Sequence, residues 1–393
     1  MANQISLYIH IPFCLSKCDY CDFFSVKCNG TVGDEYVNAL CTELTWRMQE
    51  LNNSGPVQIK TIYIGGGTPS LLTKEQLAKL TDLIFSYDVC SDFEFTVELN
   101  PDDITKELLD SLEQCRVNRI SCGVQSFSQT VLKSVHRRAD SAQVMAALEL
   151  LMQCWKGKIS IDLISGLPFE TKESLLEGLK TLCSLRNKNG SGIHHISLYS
   201  LCVEEDTPLY NRIQKNELAY NSDFSDSLWL EGRDFLIKHG YEQYEVSNFC
   251  LKNNECLHNM TYWQSKDYIG IGSGATGTIH KKDGSAVRTT NTKDIKLYIS
   301  SPGKFTDVEQ IDIPTAKFEF FMMGLRTFKG ISRAGYRQIF HEDFLDKVLQ
   351  IIQDWQKKDL ITVKTGQDDE SYALTQKGIL FLNTFLEQII DLF

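Results

Sequence analysis

The sequence lacks both an excess of basic residues and a long apolar run. Its 40 Lys and Arg residues are outnumbered by 51 Asp and Glu residues, which gives a formal net charge of -11. Because the phosphates of nucleic acids require a basic face, we expect no nucleic acid among its partners. No stretch approaches the roughly 20 apolar residues of a membrane span. A secretory signal begins with basic residues, and no basic residue precedes Ser6–His10. These absences predict a cytoplasmic protein.

The cysteines do not have the pattern of a disulfide framework. There are 13 of them, an odd number, in a chain without an export signal. Most lie singly in apolar or amphipathic stretches, where a reduced cysteine behaves as a small hydrophobic side chain. Only the group near the N-terminus has the close spacing of metal ligands.

The first half of the chain alternates predicted strands with predicted helices. Apolar runs predict strands at Leu7–Ile11, Thr61–Ile64, Glu94–Leu99, Arg119–Gly123, Ser160–Ile164 and His195–Tyr199. Helical periodicity falls between them at Asp34–Leu51, Lys74–Tyr87, Lys106–Glu113, Ser141–Gln153 and Glu173–Leu185. Since each return to a parallel sheet needs a crossover, this series predicts an α/β fold with a partial, TIM-like (β/α)6 barrel over residues 1–212.

The alternation stops after Asn211, and residues 213–393 are mostly helical in pattern. Near the end, a helix, a hairpin and a second helix are predicted at Asp343–Lys358, Leu360–Lys364 with Tyr372–Leu374, and Lys377–Leu392. We therefore expect a smaller, mostly helical C-terminal domain with a winged-helix-like end.

Polar residues recur where the predicted strands end. They lie in Gly65–Pro69, Glu98–Pro101, Gly123–Ser126, Asp162–Pro168 and Tyr199–Ser200. The active sites of barrels form from the loops at the carboxyl ends of the strands. A single polar residue at a strand end more often belongs to a turn or caps a helix. Polar residues at several consecutive strand ends, however, predict a shared site.

Cys14, Cys18 and Cys21 follow the first strand with Cys-x3-Cys-x2-Cys spacing. Three thiolates on one loop hold three irons of a [4Fe–4S] cluster and leave the fourth iron open. That iron can chelate the amino and carboxylate groups of S-adenosylmethionine (SAM), whose cleavage yields a 5′-deoxyadenosyl radical. A zinc site is the alternative, in which Cys28 or His10 completes a set of four ligands.

Several longer segments carry a resemblance to a known family. These are Tyr8–Cys14, Ile64–Leu71, Asn118–Phe127, Asp162–Pro168 and His258–Trp263. Together they resemble the radical SAM coproporphyrinogen III oxidase family, and within it the heme chaperones are most similar. The resemblance covers nearly the whole chain and implies the [4Fe–4S] cluster and SAM as cofactors.

The resemblance also implies roles for individual residues. Those expected to contact SAM are Tyr8, Gly66, Gly67, Thr68 and Glu98. Gln125, Arg137 and Asp162 match positions that contact SAM in the oxidases, where they largely serve a second SAM molecule. Glu98 and Asp162 could instead be solvated or salt-bridged strand ends. No catalytic residue is assigned.

Two functions share this family, and three features favour the heme chaperone over the oxidase. Phe23 occupies the position where the oxidases have a further Cys, and the strand with Tyr8 begins almost at once, without the oxidases' N-terminal extension. The third feature is the segment His258–Trp263, which the resemblance assigns to the chaperones. A radical SAM enzyme with another substrate is a further alternative.

His258 is the candidate heme ligand or heme-proximal residue, with Cys256 as a rival ligand. An imidazole binds heme iron well, and aromatic neighbours pack on a flat macrocycle. A histidine beside aromatic residues is, however, often only a packed core residue. No Cys-x-x-Cys-His motif for covalent attachment is present.

The chaperone prediction names heme as the cargo and heme-dependent respiratory enzymes as the acceptors. It adds the hypothesis of a peripheral contact at the inner face of the membrane. The apolar stretch Ile379–Ile390 could provide this contact, but it lacks a basic face, and we expect it to be buried in its own domain. The oligomeric state is left open.

Overall fold

The computed structural model describes residues 3–304, 306–366 and 369–393, so the first two residues of the predicted domain 1–212 lie outside the described chain. The strands are β1 (Asn3–Ile11), β2 (Phe13–Cys14), β3 (Val26–Lys27), β4 (Val57–Gly66), β5 (Val89–Leu99), β6 (Arg119–Gln125), β7 (Lys158–Ser165), β8 (His195–Ser200), β9 (Glu242–Gln243), β10 (Asn248–Cys250), β11 (Tyr268–Ile271), β12 (Thr276–His280), β13 (Ala286–Asn291), β14 (Thr306–Ile311), β15 (Ile331–Ser332), β16 (Ile361–Thr365) and β17 (Glu370–Leu374).

The α-helices are α1 (Asp34–Ser54), α2 (Lys74–Ile84), α3 (Lys106–Gln114), α4 (Gln129–Ser134), α5 (Ser141–Cys154), α6 (Lys172–Ser184), α7 (Pro208–Gln214), α8 (Ser222–Lys238), α9 (Leu257–Trp263), α10 (Ile295–Ser300), α11 (Ile313–Gly324), α12 (Arg333–Phe340), α13 (Asp346–Lys357) and α14 (Leu382–Ile389). Short 3-10 helices occur at Pro69–Leu71, Pro101–Asp103, Gly378–Phe381 and Ile390–Leu392.

One 12-stranded sheet runs through the molecule in the order β14-β13-β12-β11-β1-β4-β5-β6-β7-β8-β10-β9. The strands from β11 to β8 in this order are all parallel to one another, and the flanking strands are antiparallel. The six predicted strands are β1, β4, β5, β6, β7 and β8, with helices between them. The prediction of an α/β fold built on a partial barrel is confirmed.

The sheet extends beyond the six predicted strands because β11 pairs in parallel with the outer edge of β1, where Leu7 lies opposite Ile269. Strands from both sides of residue 212 therefore share one sheet. The predicted domain boundary at that position stays a prediction.

The side chains of β1 show how the sheet separates an apolar layer from a polar interior. Leu7, Ile9 and Ile11 are fully buried in the main core, which also contains residues of α1. Ser6 and Tyr8, at the alternate positions, face the other way and hydrogen-bond to Thr261 and His10. Successive side chains on a strand point to opposite faces, so the polar ones face the barrel interior.

A second core lies under α11–α14 and the three-stranded sheet of β15, β16 and β17. It is largely aromatic: the ring centroids of Phe321 and Phe344 are 4.9 Å apart, and those of Trp355 and Phe385 are 5.1 Å apart. The predicted helix Lys377–Leu392 is wrong as a continuous element, because α14 is flanked by two 3-10 helices. A Cβ atom on Gly378 would lie only 1.9 Å from the Leu360 carbonyl oxygen, so the first turn is pressed against the hairpin.

None of the helices in the described part of the chain combines the length and the apolar character needed to cross a membrane.

Glu43 of α1 joins this helix to the C-terminal side of the sheet. Its side chain is completely buried and forms an ion pair with Arg47 at 3.5 Å. Its carboxylate accepts hydrogen bonds from the Gly272 amide, from Asn291 and from the hydroxyl of Tyr298, at 3.0, 2.7 and 2.7 Å. One side chain thus connects three segments that are distant in sequence.

We expect Glu43→Ala to lower the free energy of unfolding by about 3–5 kcal/mol, because it leaves buried donors and Arg47 without their carboxylate. Urea denaturation measures the loss. Glu50→Ala, on the exposed side of the same helix, is the matched control and should change stability by no more than about 0.5 kcal/mol. Equal losses in the two variants would contradict this role for Glu43.

Candidate functional site

A cavity of about 370 Å³ lies inside the barrel and opens where the parallel strands end. Most of the residues predicted for the site line it. They are Cys14, Cys18, Cys21, Gly66, Gly67, Thr68, Glu98, Gln125, Arg137 and Asp162. Tyr8 and His258 are not among the lining residues of the described chain.

The cysteine loop is held at the mouth of this cavity by backbone pairing. Cys14 lies in β2, which pairs with β3, and its carbonyl accepts a hydrogen bond from the Cys28 amide at 2.9 Å. Further along, the Cys21 amide donates to the Cys18 carbonyl at 3.1 Å, which closes a turn. The three thiols are therefore carried by one loop with a defined backbone.

Two of the three sulfur atoms receive hydrogen bonds, one from the loop after β4 and one from the segment between α4 and α5. The Thr68 hydroxyl donates to Cys14 Sγ at 3.6 Å, and Arg137 Nη1 donates to Cys18 Sγ at 3.4 Å. For the third sulfur atom, that of Cys21, burial raises the pKa to about 11. A positive guanidinium and a hydroxyl next to sulfur stabilise the thiolate form, which is the form that binds iron.

The donor set fits a [4Fe–4S] cluster, because three thiols face one cavity and donors are already directed at two of them. No group of three or more His, Cys, Asp or Glu side chains in the described residues lies close enough together to hold a single metal ion. A cluster does not require that convergence, because each thiolate binds a different iron. His10, one of the two residues considered for a zinc site, uses both ring nitrogens in hydrogen bonds, to Tyr8 at 2.7 Å and to the Phe24 carbonyl at 3.0 Å.

Gly66 and Gly67 are required by the packing of the protein itself. Gly66 has a φ of +112°, and a Cβ there would lie 2.5 Å from the ring of His10. A Cβ on Gly67 would lie 2.7 Å from the Phe13 carbonyl oxygen. The loop after β4 can therefore pass under the cysteine loop only with glycine at these positions.

Glu98 is the last residue but one of β5, and its carboxyl group lies inside the barrel. It accepts hydrogen bonds from the Tyr63 hydroxyl at 2.7 Å and from the Gly66 amide at 3.0 Å. Burial raises its pKa from the ordinary 4.5 to about 7, although the two hydrogen bonds act in the opposite direction. Near neutral pH this group is therefore poised between its acid and its carboxylate.

Arg137 and Asp162 are fixed by partners on neighbouring strands. Arg137 Nη2 donates to Asn100 Oδ1 at 2.8 Å and to the Gly123 carbonyl. Asp162 accepts from the hydroxyls of Ser121 and Ser197 at 2.8 and 2.7 Å, and burial raises its pKa. Arg137 thus connects the end of β6 to the cysteine loop, and Asp162 lies on β7 as the register partner of Gly123.

His258 lies within the protein, behind the cavity wall. Its Nδ1 is 2.7 Å from the Thr61 hydroxyl and its Nε2 is 2.8 Å from the Tyr262 hydroxyl, while its ring stacks on that of Tyr63 at 5.0 Å. Burial lowers its pKa to about 3, so the ring is neutral. Its neighbours Cys256 and Asn259 do line the cavity.

Cys256 faces the cavity as a thiol. Its Sγ donates to Glu94 Oε1 at 3.4 Å, and burial raises its pKa to about 12. The same carboxylate oxygen accepts the His258 amide at 3.0 Å, and Arg119 pairs with the other oxygen at 3.5 Å. This buried pair was not predicted from the sequence, although Glu94 and Arg119 both occupy inward positions of their strands.

Glu98 gives a prediction for the dependence of stability on pH. Between pH 4.5 and 7 the folded protein keeps the proton that the unfolded chain has released, so stability falls as the pH rises. We expect Glu98→Gln to remove the part of this fall that Glu98 contributes, which amounts to about 3 kcal/mol.

Urea denaturation of the cluster-free protein at pH 5 and at pH 7.5 measures this effect. Glu107→Gln, exposed on α3, is the matched control and should retain the difference between the two pH values. A Glu98→Gln variant with the same pH dependence as the control would show that Glu98 does not titrate in this range.

Family models and a solved structure match the chain. The family model described as the Radical SAM superfamily matches residues 8–182, and the model described as the HemN C-terminal domain matches residues 314–381. The solved structure of coproporphyrinogen III oxidase (HemN) from Escherichia coli superposes with a TM-score of 0.80, covering 100% of this chain and 91% of that one. At 22% identity this likeness shows a shared fold.

Two curated relatives match over nearly their full length. The heme chaperone HemW of Bacillus subtilis (strain 168) is 34% identical over 385 residues, which cover 96% of this chain and 97% of the relative. The heme chaperone HemW of Escherichia coli (strain K12) is 33% identical over 389 residues, with coverages of 98% and 97%. The superfamily implies a [4Fe–4S] cluster and SAM as cofactors. Because this degree of identity extends over nearly the whole chain, the chain belongs to the HemW family of radical SAM proteins.

Proposed function

We propose that the protein is a heme chaperone that binds heme beside a SAM-coordinating [4Fe–4S] cluster and delivers it to respiratory heme proteins. The main support from the structure is the position of α9. Cys256 and Asn259 line the same cavity as Cys14, Cys18 and Cys21. A heme in this cavity would lie beside the His258–Trp263 segment and within reach of the cluster. Two of its relatives bear the name heme chaperone.

In this proposal, Cys14, Cys18 and Cys21 hold the cluster, which when bound supplies the electron for cleavage of SAM. Arg137 stabilises the Cys18 thiolate through its hydrogen bond. The residues proposed to bind SAM are Tyr8, Gly66, Gly67, Thr68 and Glu98, with Gln125, Arg137 and Asp162 further along the cavity wall. Glu98 can accept a hydrogen bond from SAM as a carboxylate or donate one as an acid.

His258 is proposed as the heme ligand or heme-proximal residue, and Cys256 remains the alternative ligand. To bind iron, His258 would have to exchange its hydrogen bond to Thr61 or to Tyr262 for the metal. Cys256 already faces the cavity but would have to lose its proton, which burial opposes. The two ligands differ spectroscopically, so the choice can be tested.

Heme-dependent respiratory enzymes are the proposed acceptors, with contact at the inner face of the membrane as a hypothesis. The apolar side of the C-terminal segment packs in the second core through Phe385 and Ile389, while Leu380, Phe381 and Ile390 are exposed. These three side chains are candidates for the contact. Absence of the protein from the membrane fraction of respiring cells would count against this hypothesis.

We expect the triple variant Cys14→Ser, Cys18→Ser, Cys21→Ser to bind no cluster after anaerobic reconstitution, because no thiolate ligand remains on the loop. Iron and sulfide content per chain and the visible absorption spectrum measure this. Cys28→Ser is the matched control, since Cys28 lies beside the loop and its backbone amide, which donates to the Cys14 carbonyl, is kept in the variant. Loss of the cluster in the control alone would contradict the assignment.

We expect the reconstituted protein to bind hemin saturably, and replacement of the iron ligand to weaken binding at least about tenfold. The Soret band is followed during titration of the wild type, His258→Ala and Cys256→Ser, with circular dichroism as a check on folding. A changed spectrum in one variant identifies the ligand. Absence of saturable binding by the wild type would contradict the chaperone function, and turnover of coproporphyrinogen III would favour the oxidase alternative.

A further inference from the structure

The floor of the cavity carries polar groups that the protein itself does not use. Arg119 is about 1% exposed, and its Nη1 donates to the carbonyls of Asn254 and Glu255 at 3.2 and 3.4 Å and lies 3.5 Å from Glu94. Within the described chain, Arg119 Nη2 and the hydroxyl of Thr96 have no hydrogen-bond partner. Thr96 is also about 1% exposed, and both residues line the cavity.

These two groups are neighbours. Thr96 on β5 and Arg119 on β6 are register partners, so their backbones are about 4.8 Å apart. Ser160 and Asp162, which also line the cavity, are by contrast paired: Ser160 contacts His195 at 2.7 Å, and Asp162 is held by two serines. A buried donor without a partner costs about 1–3 kcal/mol, so two of them side by side suit a ligand that supplies acceptors.

The position of these groups separates them from the cluster. Arg137 contacts both Cys18 and the Gly123 carbonyl, which puts Gly123 at the level of the cysteine loop. Arg119 precedes Gly123 by four residues on the same strand, or about 13 Å along it. The carboxylate of a SAM molecule chelating the open iron would therefore lie at the other end of the cavity.

We propose that Arg119 and Thr96 form a carboxylate-binding subsite that holds a propionate group of heme. A guanidinium edge and a hydroxyl are suited to a carboxylate, which accepts from both. Glu94 occupies the Nη1 side of Arg119 and leaves Nη2 for the ligand. This inference rests on the proposed heme chaperone function and adds to it the chemical group by which heme is recognised.

The test compares hemin with hemin dimethyl ester, whose carboxylates are blocked, on the reconstituted protein in the presence of SAM. The wild type should bind hemin more tightly than the diester. Thr96→Val should weaken hemin binding roughly fivefold and Arg119→Gln roughly thirtyfold, and both should reduce the preference over the diester. Thr81→Val, buried in α2 and not among the residues that line the cavity, is the matched control.

Thr96→Val keeps the test valid if Arg119→Gln fails to fold, because it removes an unpaired hydroxyl and should not lower the stability of the heme-free protein. Equal binding of hemin and diester by the wild type, or an unchanged preference in Thr96→Val, overturns the subsite while heme binding stands. A loss of SAM affinity with unchanged hemin binding also overturns it, because the donors then serve SAM. A wild type that binds neither porphyrin refutes the heme chaperone function itself.

Discussion

Parallel pairing of the strands from β11 to β8 is the constraint on which the site depends. It directs the carboxyl ends of these parallel strands to the same edge of the sheet. The cysteine loop after β1, the glycine loop after β4 and Glu98 at the end of β5 therefore meet around one cavity, although they are far apart in sequence. The distance between the cysteine loop and Glu98 is set by the register of the sheet.

The same sheet divides the protein into an apolar layer and a polar interior. The outer faces of the strands pack against the helices, as Leu7 and Ile9 do, and this layer supplies the hydrophobic stabilisation. The interior instead contains charged groups such as Glu94, Arg119 and Asp162, each held by strand neighbours. Burial of charge is unfavourable unless it is paired. A barrel interior that contains buried charged groups despite this unfavourable free energy is suited to binding ligands.

Much of the barrel could be predicted from the sequence because its signals are local. The six strands are bounded by turn residues, and the three cysteines are within eight residues of one another. The role of β11 could not be predicted, because a strand of four residues carries no periodicity and its partner β1 is over 250 residues away. The location of His258 could not be predicted either. The sequence indicates aromatic neighbours, but the packing of α9 on β4 determines which side chains face the cavity.

The break in the final helix has a similar cause. Apolar periodicity over Lys377–Leu392 is the same for one long helix and for a short helix between two tighter turns. The contact of Gly378 with Leu360 is a tertiary contact, and local helix propensity does not predict it.

The pairing of β11 with β1 also has a consequence for how the chain folds. During synthesis β1 emerges first and can pair with β4 early, but its other edge stays open until Tyr268–Ile271 has been made. An open edge of a strand this apolar readily pairs with other chains. Contacts between such distant segments also form slowly. The N-terminal segments of the nascent chain therefore have the greatest need for protection from aggregation while the C-terminal part is still being produced.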